Sequence, residues 1–180
     1  PEVIYSKMVK LAGIGESQVA DQLQDLIEKQ TNPTLATYAK TGEVHLRVTA
    51  KAENKKEAKR LLKPVVKEIK RRFQDAVYTT KEEVTLEDAV VKLLRKKKWT
   101  VTTAESCTGG LLAGRLINAA GASKVFRQGY ITYSNKAKRN LLGVDKATLE
   151  QYTAVREQVA CEMAEGAAKA AGADICVAVT

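Results

Sequence analysis

The apolar positions follow two successive patterns along the chain. Residues 4–13 alternate well enough for a strand. Over 14–30, Val19, Leu23 and Ile27 recur at helical spacing behind Glu16 and Ser17, oxygen-bearing residues that suit a helix start. Residues 33–52 predict a hairpin closed at Thr41-Gly42, with Leu46 and Val48 facing one way and His45, Arg47 and Thr49 the other. Residues 54–73 place Ala58, Leu62, Val65, Ile69 and Phe73 on one stripe of a helix otherwise rich in lysine. Pro64 is expected to kink or interrupt that helix. The result is a small α/β module, one sheet with two helices on it.

Over 77–90 charges and threonines replace the apolar stripe, so this stretch reads as a seam. Thr85 and Asp88 form a capping-box variant ahead of the next helix. From there helices and strands alternate, as in a layered α/β domain. Strands are predicted at 99–105, 125–133 and 174–180, with helices starting near Gly110, Ser134 and Val155.

Composition changes this picture little. Apolar and charged fractions suit a folded globular chain of 180 residues. No run of about 18 uncharged apolar residues and no signal-peptide pattern is present, so a cytoplasmic location and no membrane partner are expected. Cys107, Cys161 and Cys176 are odd in number and widely spaced, and His45 is the only histidine, which predicts neither a disulfide framework nor a bound metal. The net charge of +9 is concentrated: Lys51 to Arg72 holds ten basic residues and three glutamates. The chain opens without an initiator methionine and stops on a strand, which reads as a piece of a longer polypeptide.

Candidate chemistry gathers at "TTAESCTGG", residues 102–110, where a strand turns into a helix. Gly109 and Gly110 permit close approach to the backbone, and Ser106 and Thr108 add hydroxyls to the open amides of a helix start; together they describe an anion site, phosphate being the usual guest. A plain capped helix explains the same residues. Ser106 also suits a nucleophile on a tight turn. With His45 in the other half, its base must be a lysine or tyrosine. Cys107 is either a rival nucleophile or a core thiol. At the next strand end, Tyr133 closes the strand, Ser134 or Asn135 caps the helix, and Lys138 lies one turn in. Strand ends of a parallel sheet share a rim, so Ser106, Tyr133 and Lys138 can meet there; a half-buried tyrosine and a solvated lysine are the plainer alternative.

"TTAESCTGG", "FRQGYITYSNKAK" and "LLGV" together closely resemble the C-terminal domain of the CinA (competence- and damage-inducible protein A) family, over roughly Glu87 to Thr180. "KLAGIGES" and "NPTLATYAKTGEVHLRVTAKA" resemble that family's KH-like connecting module. The resemblance implies a KH-like α+β module over 1–80, followed over 81–180 by a layered α/β/α domain that lacks its C-terminal part. It further implies a nicotinamide-nucleotide amidase that converts nicotinamide mononucleotide to nicotinate mononucleotide and ammonia, without a cofactor or a metal. On that reading Ser106 is the nucleophile, Lys138 or Tyr133 the base, and Glu105 and Asn135 support the site. Thr108, Gly109 and Gly110 cradle the substrate phosphate. A homodimer is the implied assembly. Because the family continues past the last strand with a Gly-Pro-rich loop, weak or absent activity is expected of these residues alone. The rival reading is a basic nucleic-acid-binding or dimerisation module. It is handicapped by a "GIGE" whose glycines are two apart, where a KH clamp needs Gly-x-x-Gly, and by few aromatic residues.

Overall fold

The computed structural model describes residues 2–180, which fall into two compact units that divide between Leu86 and Glu87. The first unit runs β1 (Val3–Ala12), α1 (Glu16–Glu28), β2 (Thr34–Lys40), β3 (Glu43–Ala52), α2 (Lys55–Phe73) and β4 (Val77–Thr79). The strands form one sheet in the order β2-β3-β1-β4, every pair antiparallel, the split βαβ arrangement. Register explains the core. Val9 faces Leu46 and Leu11 faces Val44, so the buried positions of both strands share one face. Val19 and Leu23 of α1 and Leu62, Ile69 and Phe73 of α2 cover that face. On the other face the Ser6 and Thr49 hydroxyls meet at 2.7 Å.

Gly42 turns the β2–β3 hairpin at φ +72°, where a side chain would be strained. Asn54 caps α2 by accepting from the Glu57 amide at 3.0 Å. Pro64 does not interrupt α2, which is one helix from Lys55 to Phe73. The hydrogen bond that proline forfeits is outweighed by a continuous buried stripe of Ala58, Leu62, Val66, Ile69 and Phe73. Val66, not Val65, fills the third place on that stripe. The expected seam contributes β4, which pairs with β1 at Lys10 and Leu11.

The second unit comprises α3 (Leu86–Lys97), β5 (Val101–Glu105), α4 (Leu111–Ile117), β6 (Tyr130–Ile131), α5 (Asn135–Leu142), α6 (Lys146–Tyr152), α7 (Glu157–Ala171) and β7 (Ile175–Val179). Its sheet is parallel, in the order β6-β5-β7. Every residue of β5 is buried, as a central parallel strand covered on both faces requires. Val101 joins Val91 of α3 and Leu116 of α4 in one cluster. Ala104 joins Leu142, Leu149, Val159 and Met163 from α5, α6 and α7 in another. The unit is therefore an α/β/α sandwich. Two details differ from the sequence reading: α6 is an additional helix, and the 125–133 run pairs as a strand only at Tyr130 and Ile131, with an isolated bridge at Phe126. No helix among the described residues is long and apolar enough to cross a membrane.

Candidate active site

Ser106 is the first residue beyond the central strand, and both neighbours fix its place. Its amide donates to the Val179 carbonyl at 2.8 Å, while the Thr132 amide donates to the Glu105 carbonyl at 2.8 Å. The chain then turns through Gly109 at φ +56° and Gly110 at φ +101° before entering α4. A Cβ on Gly110 would lie 3.0 Å from Ile131 Cδ1, so glycine serves both the backbone angle and the space.

Lys138 approaches from α5. Ser134 caps that helix, its hydroxyl accepting from the Ala137 amide at 3.1 Å. One turn on, the Lys138 side chain is completely buried. Its Nζ donates to Ser106 Oγ at 2.9 Å and to the carbonyl oxygens of Thr132 and Tyr133 at 2.8 Å each. No carboxylate pairs with it among the described residues. Burial therefore pushes its pKa below the ordinary 10.5, against an opposing influence of Cys107. The two carbonyls accept two N–H bonds, and the third tetrahedral direction faces the serine. In the neutral amine that direction is the lone pair, so the same geometry lets Ser106 donate its proton to Lys138.

Tyr133 enters this arrangement through its backbone. Its carbonyl holds Lys138, while the residue is 78% exposed and its hydroxyl forms no hydrogen bond with either member of the pair. Asn135, the exposed first residue of α5, leaves the capping to Ser134. Cys107 is exposed and so does not pack in the core.

The anion held by the start of α4 is one the sequence reading missed. Glu105 is fully buried and accepts from Thr108 Oγ1 at 2.8 Å, from the Leu112 amide at 2.8 Å and from the Ala113 amide at 3.0 Å. Burial alone would raise its pKa; the Ala113 and Leu112 amides and the Thr108 hydroxyl outweigh it and hold the carboxyl below its ordinary value. Of the residues expected to cradle a substrate phosphate, Thr108 donates its hydroxyl to this internal carboxylate, and Gly109 and Gly110 form the turn ahead of the helix. A glutamate four residues ahead of the Gly109-Gly110 helix entry was the signal available in the sequence. The carbonyl partners of Lys138 left no such signal, since every residue has a carbonyl. Among the described residues no group of three or more His, Cys, Asp or Glu side chains is placed to hold a metal.

A buried serine–lysine pair at a strand end of a parallel α/β/α sandwich defines the class, and comparison with known proteins supplies the family. Residues 83–180 match the CinA C-terminal domain and residues 6–79 the KH domain of damage-inducible protein CinA. The chain belongs to the CinA family. A competence-damage inducible protein of Clostridium botulinum Type A is 53% identical over 177 residues, and a CinA-like protein of Kosmotoga olearia 50% identical over 178. The chain spans 43% of the length of each. Crystal structures of CinA superfamily proteins from Escherichia coli and Klebsiella pneumoniae 700603 are 43% and 42% identical, each with a TM-score of 0.52. Each alignment covers 53% of this chain, and respectively 55% and 59% of the other.

Proposed function

We propose that the second unit carries a serine amidase that hydrolyses the carboxamide of nicotinamide mononucleotide. The observation that carries the reading is the buried Lys138 Nζ, 2.9 Å from Ser106 Oγ and with no charged partner. Ser106 Oγ attacks the carboxamide carbon while Lys138 takes its proton. The C–N bond then breaks, and nitrogen leaves as ammonia with the proton Lys138 returns. Water, deprotonated by the same lysine, cleaves the resulting ester, and the proton goes back to Ser106 as nicotinate mononucleotide departs. Glu105 acts from beneath by fixing the start of α4 and hence the turn that carries Ser106. Tyr133 contributes its backbone carbonyl, which holds Lys138 Nζ in place. The substrate class itself rests on the resemblance to the family.

The test follows ammonia release from nicotinamide mononucleotide with the wild-type chain and with Ser106→Ala. The same pair is run in a protein of the relatives' full length. Release that depends on Ser106 is the expected result. Absence of release from both lengths overturns the amidase, and release that survives Ser106→Ala overturns the serine.

A further inference from the structure

The first unit has an open strand edge beside a basic groove. β1 is ten residues long, yet β4 pairs with it only at Lys10 and Leu11. From Val3 to Met8 its outer edge has no neighbour among the described residues, leaving main-chain N–H and C=O groups available for pairing. Along that edge runs a groove of about 530 Å³ between β1 and α2, with Tyr5, Leu62 and Val66 among its lining residues. Lys59, Lys63, Lys67 and Lys70 line its helical wall, and Lys7 lies on the strand side.

Helix α2 sorts its cations by partner. Arg60 pairs with Glu57, Arg71 with Glu68, and Arg72 with Asp25 and Glu68. The four lysines, spaced four, four and three residues apart, form one stripe, and none has an ion pair among the described residues. Like charges at that spacing repel one another. Lysine on a strand edge guards against aggregation, which accounts for Lys7. It does not account for a lysine row on the neighbouring helix, set around apolar side chains.

We propose that this groove receives an extended acidic peptide that adds to β1 as a further strand. Main-chain bonds to the free edge would supply the pairing. Every second side chain would enter the groove, carboxylates toward the lysine row and apolar groups toward Tyr5, Leu62 and Val66. Single-stranded nucleic acid fits the groove less well. Bases need an open aromatic face, and the Tyr5 ring has Lys55 Nζ and Lys59 Nζ 5.3 and 5.6 Å from its centroid. The β2–β3 hairpin separates α1 from α2, so no Gly-x-x-Gly turn joins two helices to clamp a nucleotide backbone. A second copy of the unit would set lysine against lysine.

The experiment titrates the ¹⁵N-labelled chain with the decapeptide Glu-Thr-Val-Thr-Glu-Thr-Val-Thr-Glu-Thr, whose groove-facing positions carry both glutamate and valine, and follows amide chemical shifts. Saturable shifts confined to the Val3–Met8 edge and the lysine wall of α2 are expected. Affinity should fall by at least about tenfold when the peptide is N-methylated at every second residue, and equally with Lys63→Glu/Lys67→Glu, whose surface positions leave the remaining spectrum unchanged. An N-methylated peptide that binds as well reduces the site to bare charge and overturns strand addition. Tighter binding of an oligothymidylate at the same amides overturns the peptide in favour of nucleic acid. Absence of shifts at ~1 mM peptide overturns the site altogether.

Discussion

Replacing Glu105 by glutamine tests the internal anion with almost no change of shape. The carboxylate accepts three hydrogen bonds, two on Oε1 and one on Oε2. Glutamine keeps one acceptor oxygen and turns an NH₂ toward at least one helix amide. That leaves a buried donor facing a donor, at a cost of about 1–3 kcal/mol. Loss of the negative charge at the start of α4 removes up to about 2 kcal/mol more. The sum is roughly 3 kcal/mol, which at a urea slope of about 2 kcal/mol per molar lowers the unfolding midpoint by roughly 1.5 M. Trp99, the only tryptophan, lies in the second unit and reports its unfolding by fluorescence. The loss should also depend on pH. The folded carboxyl has a lowered pKa, so its contribution is fully present above the ordinary value near 4.5 and is lost as pH falls through the folded value. The gap between wild type and Glu105→Gln therefore closes in acid. A variant within about 0.5 kcal/mol of wild type at pH 7, or a gap constant down into acid, refutes the assignment of Glu105 as the cap.

If Lys138 is the base, Lys138→Met lowers kcat/KM for the proposed amide substrate by about 10²–10⁴-fold. Lys138→Arg fails to restore it, because a guanidinium stays protonated; steady-state ammonia release measures both. The rate should rise with pH as Lys138 loses its proton, with a midpoint below the ordinary 10.5, and a pH profile without that limb contradicts the lysine's role. Gly110→Ala forces a side chain onto φ +101° and against Ile131, and should destabilise the second unit by about 1–3 kcal/mol in urea unfolding.

Much of the fold was legible because burial imposes periodicity. The Thr41-Gly42 hairpin, the α2 stripe and the alternation of the second unit each follow from apolar spacing. What escaped has identifiable causes. β4 is three residues long and half-buried, too short for alternation to register. Val65 and Val66 are equally apolar, and only the packing of α2 against β1 and β3 decides between them. Pro64 was read by its local cost, which the long buried stripe overrides. At the site, the rim on which Ser106 and Lys138 meet follows from parallel topology. That Lys138 is buried without a counter-charge depends on how α5 seats against α7 and the sheet, and a lysine in a polar helix segment gives no hint of it. The Thr-Gly-Gly turn suggested an anion because a helix start attracts one; that the Glu105 carboxylate, three residues before Thr108, folds back onto the α4 amides depends on the path of that turn, which apolar spacing does not encode.

If Ser106 is the nucleophile proposed above, the two strands that flank it also govern when it becomes reactive. Its amide is held by Val179 and the adjoining Glu105 carbonyl by Thr132, so the serine is placed only by segments made well after it. Lys138 loses its water only when α5 and α7 close over the sheet. A chain emerging from the ribosome thus carries an ordinary serine and an ordinary charged lysine until β7 docks beside β5. Such long-range parallel pairing is a late event in folding. On that reading reactivity is a checkpoint on assembly, because a partly folded chain has not yet brought Lys138 to Ser106.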